Sequence, residues 1–299
     1  MPIQFPFKFA LRSRFPTFYF ACQQLAGELT TKVLSFRGIK LPSYFGASHR
    51  IDLLFHQCEP DIAMCVQAVV QQRDTVLDIG ANVGLLSRVF ANSVGPGGLV
   101  FGFEPDPCTR IFLEHNVRRL QQVRVFGFAI SDKTGTANLF LNAESGTSNT
   151  LAQRSETTKT VPVECMTLDD FLKLEPLEII HLIKIDVEGY ERRVLAGMSE
   201  TLKAHPETAM IIEYCPENLR LAGEIPEALL EQIAGFGFEL YVLHEDGSAA
   251  KVAGSQQVLA ALPASGYVNL LCARPGDQRF AGILKNPSNW APPRHVWAR

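Results

Sequence analysis

The stretch Asp74-Thr75-Val76-Leu77-Asp78-Ile79-Gly80-Ala81-Asn82-Val83-Gly84 decides how this chain is read. Its first half is a short run of β-favouring residues, and its second half is a turn carrying glycine at 80 and 84. A strand that passes without a linker into such a turn is where α/β folds bring backbone close to a ligand.

Outward from this stretch the pattern alternates. Short apolar runs at 98–104, 123–130, 179–186, 208–214, 237–243 and 267–273 join 75–80 as strands covered on both faces. Between most of them lie amphipathic stretches. Val194, Leu195, Met198 and Leu202 recur at helical spacing over 191–203, and Pro226 opens a helix whose stripe is Leu229, Leu230 and Ile233. The alternation predicts a doubly wound, mostly parallel α/β sheet. No long helix separates 237–243 from 267–273, so these two form an antiparallel pair at one edge. Residues 136–142 and 160–165 read as a small β insertion around a Ser/Thr-rich polar loop at 142–160, expected to act as a lid.

At 299 residues, with 46% hydrophobic and 20% charged residues, the chain can bury a sizeable core, and wholesale disorder is excluded. The seven cysteines are scattered and never form Cys-x-x-Cys, which argues against structural zinc and a disulfide framework and for a reducing, cytoplasmic setting. Charge is uneven. Residues 1–50 carry Lys8, Arg12, Arg14, Lys32, Arg37, Lys40 and Arg50 against Glu28 alone, interleaved with Phe5, Phe7, Phe9, Phe15, Phe18, Tyr19 and Phe20. Such a basic aromatic leader suits peripheral contact with an anionic membrane, binding of a polyanion, or a helical element that packs on the main domain or a second subunit. No uncharged apolar run approaches the roughly 18–20 residues of a spanning helix. The expected divisions are a leader at 1–49, a main domain at 50–274 and a tail at 275–299.

The turn excludes two nucleotide sites. No Gly-Lys-Ser/Thr follows it, as a P-loop requires, and Asn82 and Leu85 stand where a dinucleotide fingerprint wants glycine. Asp78, inside the strand just before the turn, suits a ligand with positive charge. Glu104, ending the second strand, can accept both hydroxyls of a ribose. A ligand with a ribose, a cationic portion and no pyrophosphate describes S-adenosylmethionine better than NAD.

Four blocks in order carry a family resemblance: Asp78-Ile-Gly-Ala-Asn-Val-Gly-Leu-Leu-Ser87, Phe103-Glu-Pro-Asp-Pro107, Ala129-Ile-Ser-Asp-Lys-Thr-Gly135 and Leu182-Ile-Lys-Ile-Asp-Val-Glu-Gly-Tyr-Glu191. Together they resemble the FkbM family of class I methyltransferases over roughly residues 50–274. The resemblance implies a seven-stranded sheet, S-adenosylmethionine as donor, and O-methylation of a hydroxyl on a sugar, glycolipid or polyketide-like metabolite. Carried over position by position, it places Gly80, Asn82 and Gly84 under the methionine part of the cofactor, with Asp78 orienting its amino group. Glu104 then holds the ribose, and Ser131 and Asp132 border the adenine. Asp132 also reads as an ordinary turn residue in Ser-Asp-Lys-Thr-Gly.

Methyl transfer to an alcohol needs alignment and a group to take the proton, or a metal. Asp186 ends the fourth strand, Glu188 follows in the turn, and Glu213 ends the fifth, so these three are the candidate catalytic carboxylates on the acceptor side. Their alternative role is to cap the helix starting near Glu191. Three carboxylates could also hold a divalent cation, and metal dependence stays open. Lys184 and Asp186 share a strand face and are expected to pair, while His181 reads as a packed or edge residue rather than a ligand.

The rival readings are an NAD-dependent oxidoreductase, an amino-methyltransferase, and a non-catalytic cofactor-binding module docked through the basic leader. The first lacks its glycines. The second wants Asn/Asp-Pro-Pro-aromatic where this chain has Asp186-Val-Glu-Gly-Tyr190. The acidic balance of residues 51–299 argues against a nucleic-acid partner.

Overall fold

Thr75 to Ile79 form strand β1, buried at every residue in the computed structural model. The structure describes residues 28–45, 50, 59–142, 149–153 and 159–285. The chain divides into two units, Met1–Cys58 and Glu59–Arg299, so the compact main unit begins at Glu59 rather than at residue 50. In the first unit residues 28–36 are helical. There the Arg50 guanidinium donates to the Phe45 carbonyl at 2.7 Å and the Thr31 hydroxyl at 2.6 Å. Most of the basic aromatic leader, residues 1–27, lies outside the described residues, as do 143–148 and 154–158 of the expected lid.

In the main unit β1 pairs in parallel with β2 (Leu99–Phe103) on one side and β7 (Leu182–Ile185) on the other. The sheet continues outward through β3 (Val123–Phe126) beyond β2, and through β8 (Ala209–Tyr214) beyond β7. The antiparallel pair expected at one edge is present, with a difference in order. Strand β11 (Val268–Ala273) sits between β8 and β9 (Glu239–Leu243), antiparallel to both. Two further strands, β10 (Ala249–Val252) and β12 (Leu284–Lys285), extend the seven expected strands to nine. The segment read as a tail therefore contributes to the sheet, and Phe280 is buried in its core.

Alternating residues of the same strands build two cores. Leu77, Ile79, Ile183, Ile185, Met210 and Ile212 face the helices Glu191–Ala196 and Pro226–Gly235. Val76, Val100, Leu182 and Ile211 face the helices Pro60–Val69 and Leu85–Val94. This two-sided coverage explains why the strands read as continuous apolar runs rather than alternating ones.

Two sequence-predicted elements are broken. The run 123–130 is not one strand: β3 ends at Phe126, and Ala129–Ile130 forms β4 in a second sheet, ordered β4-β6-β5, with β5 at Gly135–Phe140 and β6 at Thr160–Met166. The helix expected over 191–203 is two, Glu191–Ala196 and Ser199–Ala204. Gly197 lies between them, where an added Cβ would land on the Ser131 carbonyl, so close packing against the second sheet interrupts a stripe that is periodic in sequence.

Candidate functional site

The carboxyl ends of β1, β2 and β7 open into one cavity. Gly80 and Asn82 from the turn after β1, Glu104 and Pro105 from the end of β2, and Asp186, Val187 and Glu188 from the end of β7 all line it. Gly80 has φ of 79°, and a Cβ there would collide with the Asp186 carbonyl, so glycine lets the turn pass against β7. Asn82 also has positive φ, at 49°, a conformation asparagine tolerates better than most residues.

Glu104 is buried and joins two loops. One carboxylate oxygen accepts the N–H of Asn82 at 2.9 Å, and the other accepts the N–H of Asp106 at 2.9 Å. Burial pushes its carboxyl up to about 7 against the lowering effect of those N–H groups. Each oxygen keeps a lone pair for a further donor.

Register fixes the charged centre. Asp78 and Lys184 are partners across β1 and β7 and so share a sheet face. The Lys184 ammonium donates to the Gly80 carbonyl at 2.8 Å and lies 3.6 Å from Asp78 and 3.2 Å from Asp186. Burial opposes its charge, but Asp186, Asp78 and Glu59 outweigh that and raise the ammonium's pKa. Asp78 is wholly buried and accepts from the Ser87 hydroxyl at 2.5 Å. It does not line the cavity, and Lys184 contacts both it and the Gly80 carbonyl.

The loop after β7 is held from below. Glu188 has φ of 58° and accepts from the Asn218 amide at 2.6 Å. Buried Glu191, which sequence reasoning left as a helix residue, accepts the N–H of Gly189 at 3.0 Å and of Val187 at 3.3 Å. Burial pushes its carboxyl up to about 7. No side chain caps the helix Glu191–Ala196 at its N-cap residue Tyr190, so Glu188 does not take the capping role; it lines the cavity instead. Asp186, Glu188 and Glu213 each bring one oxygen within 4.8 Å of the others, a spacing that could take a divalent cation. The Lys184 ammonium, 3.2 Å from Asp186, already supplies a positive charge there.

Of the remaining sequence-predicted residues, Gly84 caps the helix Leu85–Val94 and lies off the lining. Ser131 and Asp132 also stand apart from it. The Ser131 hydroxyl is 3.2 Å from the Tyr190 hydroxyl, and Asp132 pairs with Arg193 at 3.0 Å. Burial raises the Asp132 carboxyl, but the Arg193 bond outweighs it and the net shift is downward. Tyr190 itself does line the cavity. His181 is structural: its Nδ1 accepts the N–H of Thr75 at 3.0 Å, at the opposite end of β1 from the turn.

Sequence reasoning missed the wall opposite Glu104. Ala129, Ile130 and Leu139 from the second sheet, with Asn149, Thr150 and Leu151 from the described part of the polar loop, line the cavity together with Phe103. The Thr150 hydroxyl donates to the Val187 carbonyl at 3.1 Å, and the Asn149 amide donates to Asp106 at 3.1 Å. Loop composition signalled a functional segment, but only the bridge between Phe140 and Thr150 reveals which residues turn inward.

The arrangement fits S-adenosylmethionine. The cavity has an apolar flank for a base, a buried carboxylate with open lone pairs for a diol, and carboxylates at the other end for positive charge. Sequence comparison with known proteins agrees. Residues 78–240 match the family described as Methyltransferase FkbM domain. The 2-O-methyltransferase NoeI of Sinorhizobium fredii is 32% identical over 178 residues, 54% of this chain and 71% of that protein. The 31-O-demethyl-FK506 methyltransferase FkbM of Streptomyces tacrolimicus is 29% identical over 157 residues, 42% of this chain and 60% of that protein. Among solved structures, an O-methyltransferase from Bacillus cereus in complex with SAH superposes with a TM-score of 0.43 at 16% identity, covering 84% of this chain and 98% of that one. Among the described residues no helix is long and apolar enough to cross a membrane.

Proposed function

Because the chain belongs to the FkbM family of methyltransferases, we propose that it transfers a methyl group from S-adenosylmethionine to a hydroxyl of a sugar, glycolipid or polyketide-like metabolite. The observation that carries this reading is the polarity of the cavity along its length, from the apolar flank and Glu104 at one end to Asp186 and Glu188 at the other. One similar protein is named as a 2-O-methyltransferase and another as a methyltransferase of a 31-O-demethyl compound, which supports a hydroxyl acceptor.

When bound, the cofactor supplies a methyl group on a positively charged sulfur. The chain's task is to hold donor and acceptor in line, which can supply roughly 7–11 kcal/mol of the barrier. Glu104 accepts the ribose hydroxyls while its own bonds to Asn82 and Asp106 keep it from rotating. Lys184 fixes the Gly80 carbonyl and Asp186 together, so the glycine turn and the end of β7 move as one piece. Asp186, Glu188 and Glu213 face the acceptor side in this reading, and Ser131 and Asp132 act through Tyr190 rather than by direct contact. The five described cysteines are free thiols, which suits the cytoplasmic setting proposed for the chain.

The reading is tested by comparing Glu104→Ala with Asp186→Asn. The first is expected to weaken S-adenosylhomocysteine binding in calorimetry, and the second to lower turnover with affinity retained. Equal losses of affinity from both would overturn the division of roles.

A further inference from the structure

Methyl transfer to a hydroxyl requires a group that takes the hydroxyl proton, and the carboxylates that line the cavity or lie near the carboxyl edge of the sheet differ in how far they are already engaged. Asp186 is paired with Lys184, Glu188 accepts from Asn218, and Glu104 and Glu191 each accept two backbone N–H groups. Glu59 differs. Among the described residues its carboxylate has no hydrogen bond and no ion pair within contact distance.

Glu59 immediately precedes the helix Pro60–Val69, in left-handed backbone with φ of 47°. That helix packs on the sheet face formed by Val76, Leu182, Ala209 and Ile211. Strand periodicity puts Asp78, Lys184 and Glu213 on this same face, one pleat nearer the carboxyl edge. The helix start is also tied down, because Asp61 accepts from the Asn269 amide at 2.8 Å, and Asn269 is the register partner of Glu213. Glu59 is thereby brought over the carboxyl edge, where its charge interacts with Lys184, Asp186, Asp61 and Asp78, and with Glu213 and Tyr267. Nothing in the strand motifs points to it.

Resting on the O-methyltransferase reading above, we propose that Glu59 is a catalytic residue of this chain, the carboxylate that takes the proton from the attacking acceptor hydroxyl. In the balanced step the O–H proton passes to Glu59 while an oxygen electron pair forms the bond to the methyl carbon. The carbon–sulfur bond breaks with its electrons kept on sulfur, which becomes a neutral thioether, and Glu59 returns its proton to water. Burial pushes the Glu59 carboxyl up to about 8, with Lys184 holding it from rising further, which places its proton affinity where a general base works best near neutral pH. Glu213 is driven well above the carboxylate range by burial and by Asp186 and Glu188. Tyr267, raised by burial and by Glu213, keeps its hydroxyl proton at the rim.

The test uses full-length wild type, Glu59→Gln and Glu59→Asp, with S-adenosylhomocysteine titrated by calorimetry. Turnover is read by mass spectrometry on a panel of methyl glycosides and hydroxylated macrolactones. Glu59→Gln is expected to lower kcat by about 10²–10⁴-fold, with S-adenosylhomocysteine affinity and melting temperature unchanged, and Glu59→Asp to fall between. Wild-type kcat in Glu59→Gln, or a loss of affinity in step with turnover, overturns the inference alone. A wild-type protein that binds S-adenosylhomocysteine yet methylates no hydroxyl overturns the proposed function, and the inference with it.

Discussion

The backbone N–H of Asn82 donates to the Glu104 carboxylate at 2.9 Å, which fastens the turn after β1 to the end of β2 through the same group that faces the cavity. A hydrogen bond to a charged group contributes about 1.5–3 kcal/mol, so Glu104→Gln is expected to weaken S-adenosylhomocysteine binding by a comparable amount in calorimetry. Because its carboxyl titrates at about 7, wild-type affinity should also fall as pH drops below 7, the proton competing with the ribose hydroxyls. Glu104→Gln should flatten that dependence.

Stability should run the opposite way. Glu59, Glu104, Glu191 and Glu213 all hold their protons more tightly in the folded chain than a free carboxyl does, mainly through burial. Such groups contribute stability that is fully present below the ordinary carboxylate range and is lost as pH rises through the folded values, about 7 for Glu104 and Glu191 and about 8 for Glu59. Melting temperature measured without cofactor should therefore decline as pH rises from about 4.5, the ordinary glutamate value, to about 8. A flat profile across that window would show that these carboxyls are not shifted as described.

Lys184 is the cation that Asp78 and Asp186 share. Removing one partner from a buried charge group costs about 3–5 kcal/mol, so Lys184→Met should lose that much in urea unfolding. Adding Asp78→Asn should recover part of the loss, because it removes one of the stranded charges. A double variant no more stable than the single one would count against the shared pairing.

Thr150 links the second sheet to the loop after β7 through the Val187 carbonyl. Thr150→Ala should cost about 1 kcal/mol and loosen this wall, read as a higher dissociation constant for S-adenosylhomocysteine. Cofactor should also slow proteolysis within 142–160, and equal cleavage with and without it would sink the lid assignment.

Because Lys184 already sits 3.2 Å from Asp186, turnover should survive dialysis against EDTA. Loss of activity restored by magnesium or manganese would instead assign a cation to Asp186, Glu188 and Glu213.

How much of this was legible in the sequence depended on whether the cause was local. The strand-to-turn run ending at Gly84, the acid at Glu104 and the helix at 226–235 are fixed by residues within a few positions, and the structure has them where the residues indicated. The split at Phe126 and the break at Gly197 are not local. The first arises where the chain leaves the main sheet for the second, and the other where a helix end packs against the Ser131 carbonyl that follows β4, contacts no periodicity encodes. Glu59 was invisible for a related reason. Its place over β7 and β8 follows from helix packing and from Asn269 holding Asp61, partners distant in sequence. Asp78 shows the reverse limit: the motif marked it, but only the register with Lys184 shows which ammonium it faces, off the cavity lining.

The reversed direction of β11 also has an outcome for specificity. A parallel strand can send to the rim only what comes after it, whereas β11 delivers what comes before, so Tyr267 arrives beside the residues that end β8. The connection between the helix Ser255–Ala260 and β11 can then change length or side chains while the glycine turn, Glu104 and Lys184 stay as they are. Relatives sharing this scaffold could diversify the molecules they modify by editing that one connection and leaving the donor machinery alone.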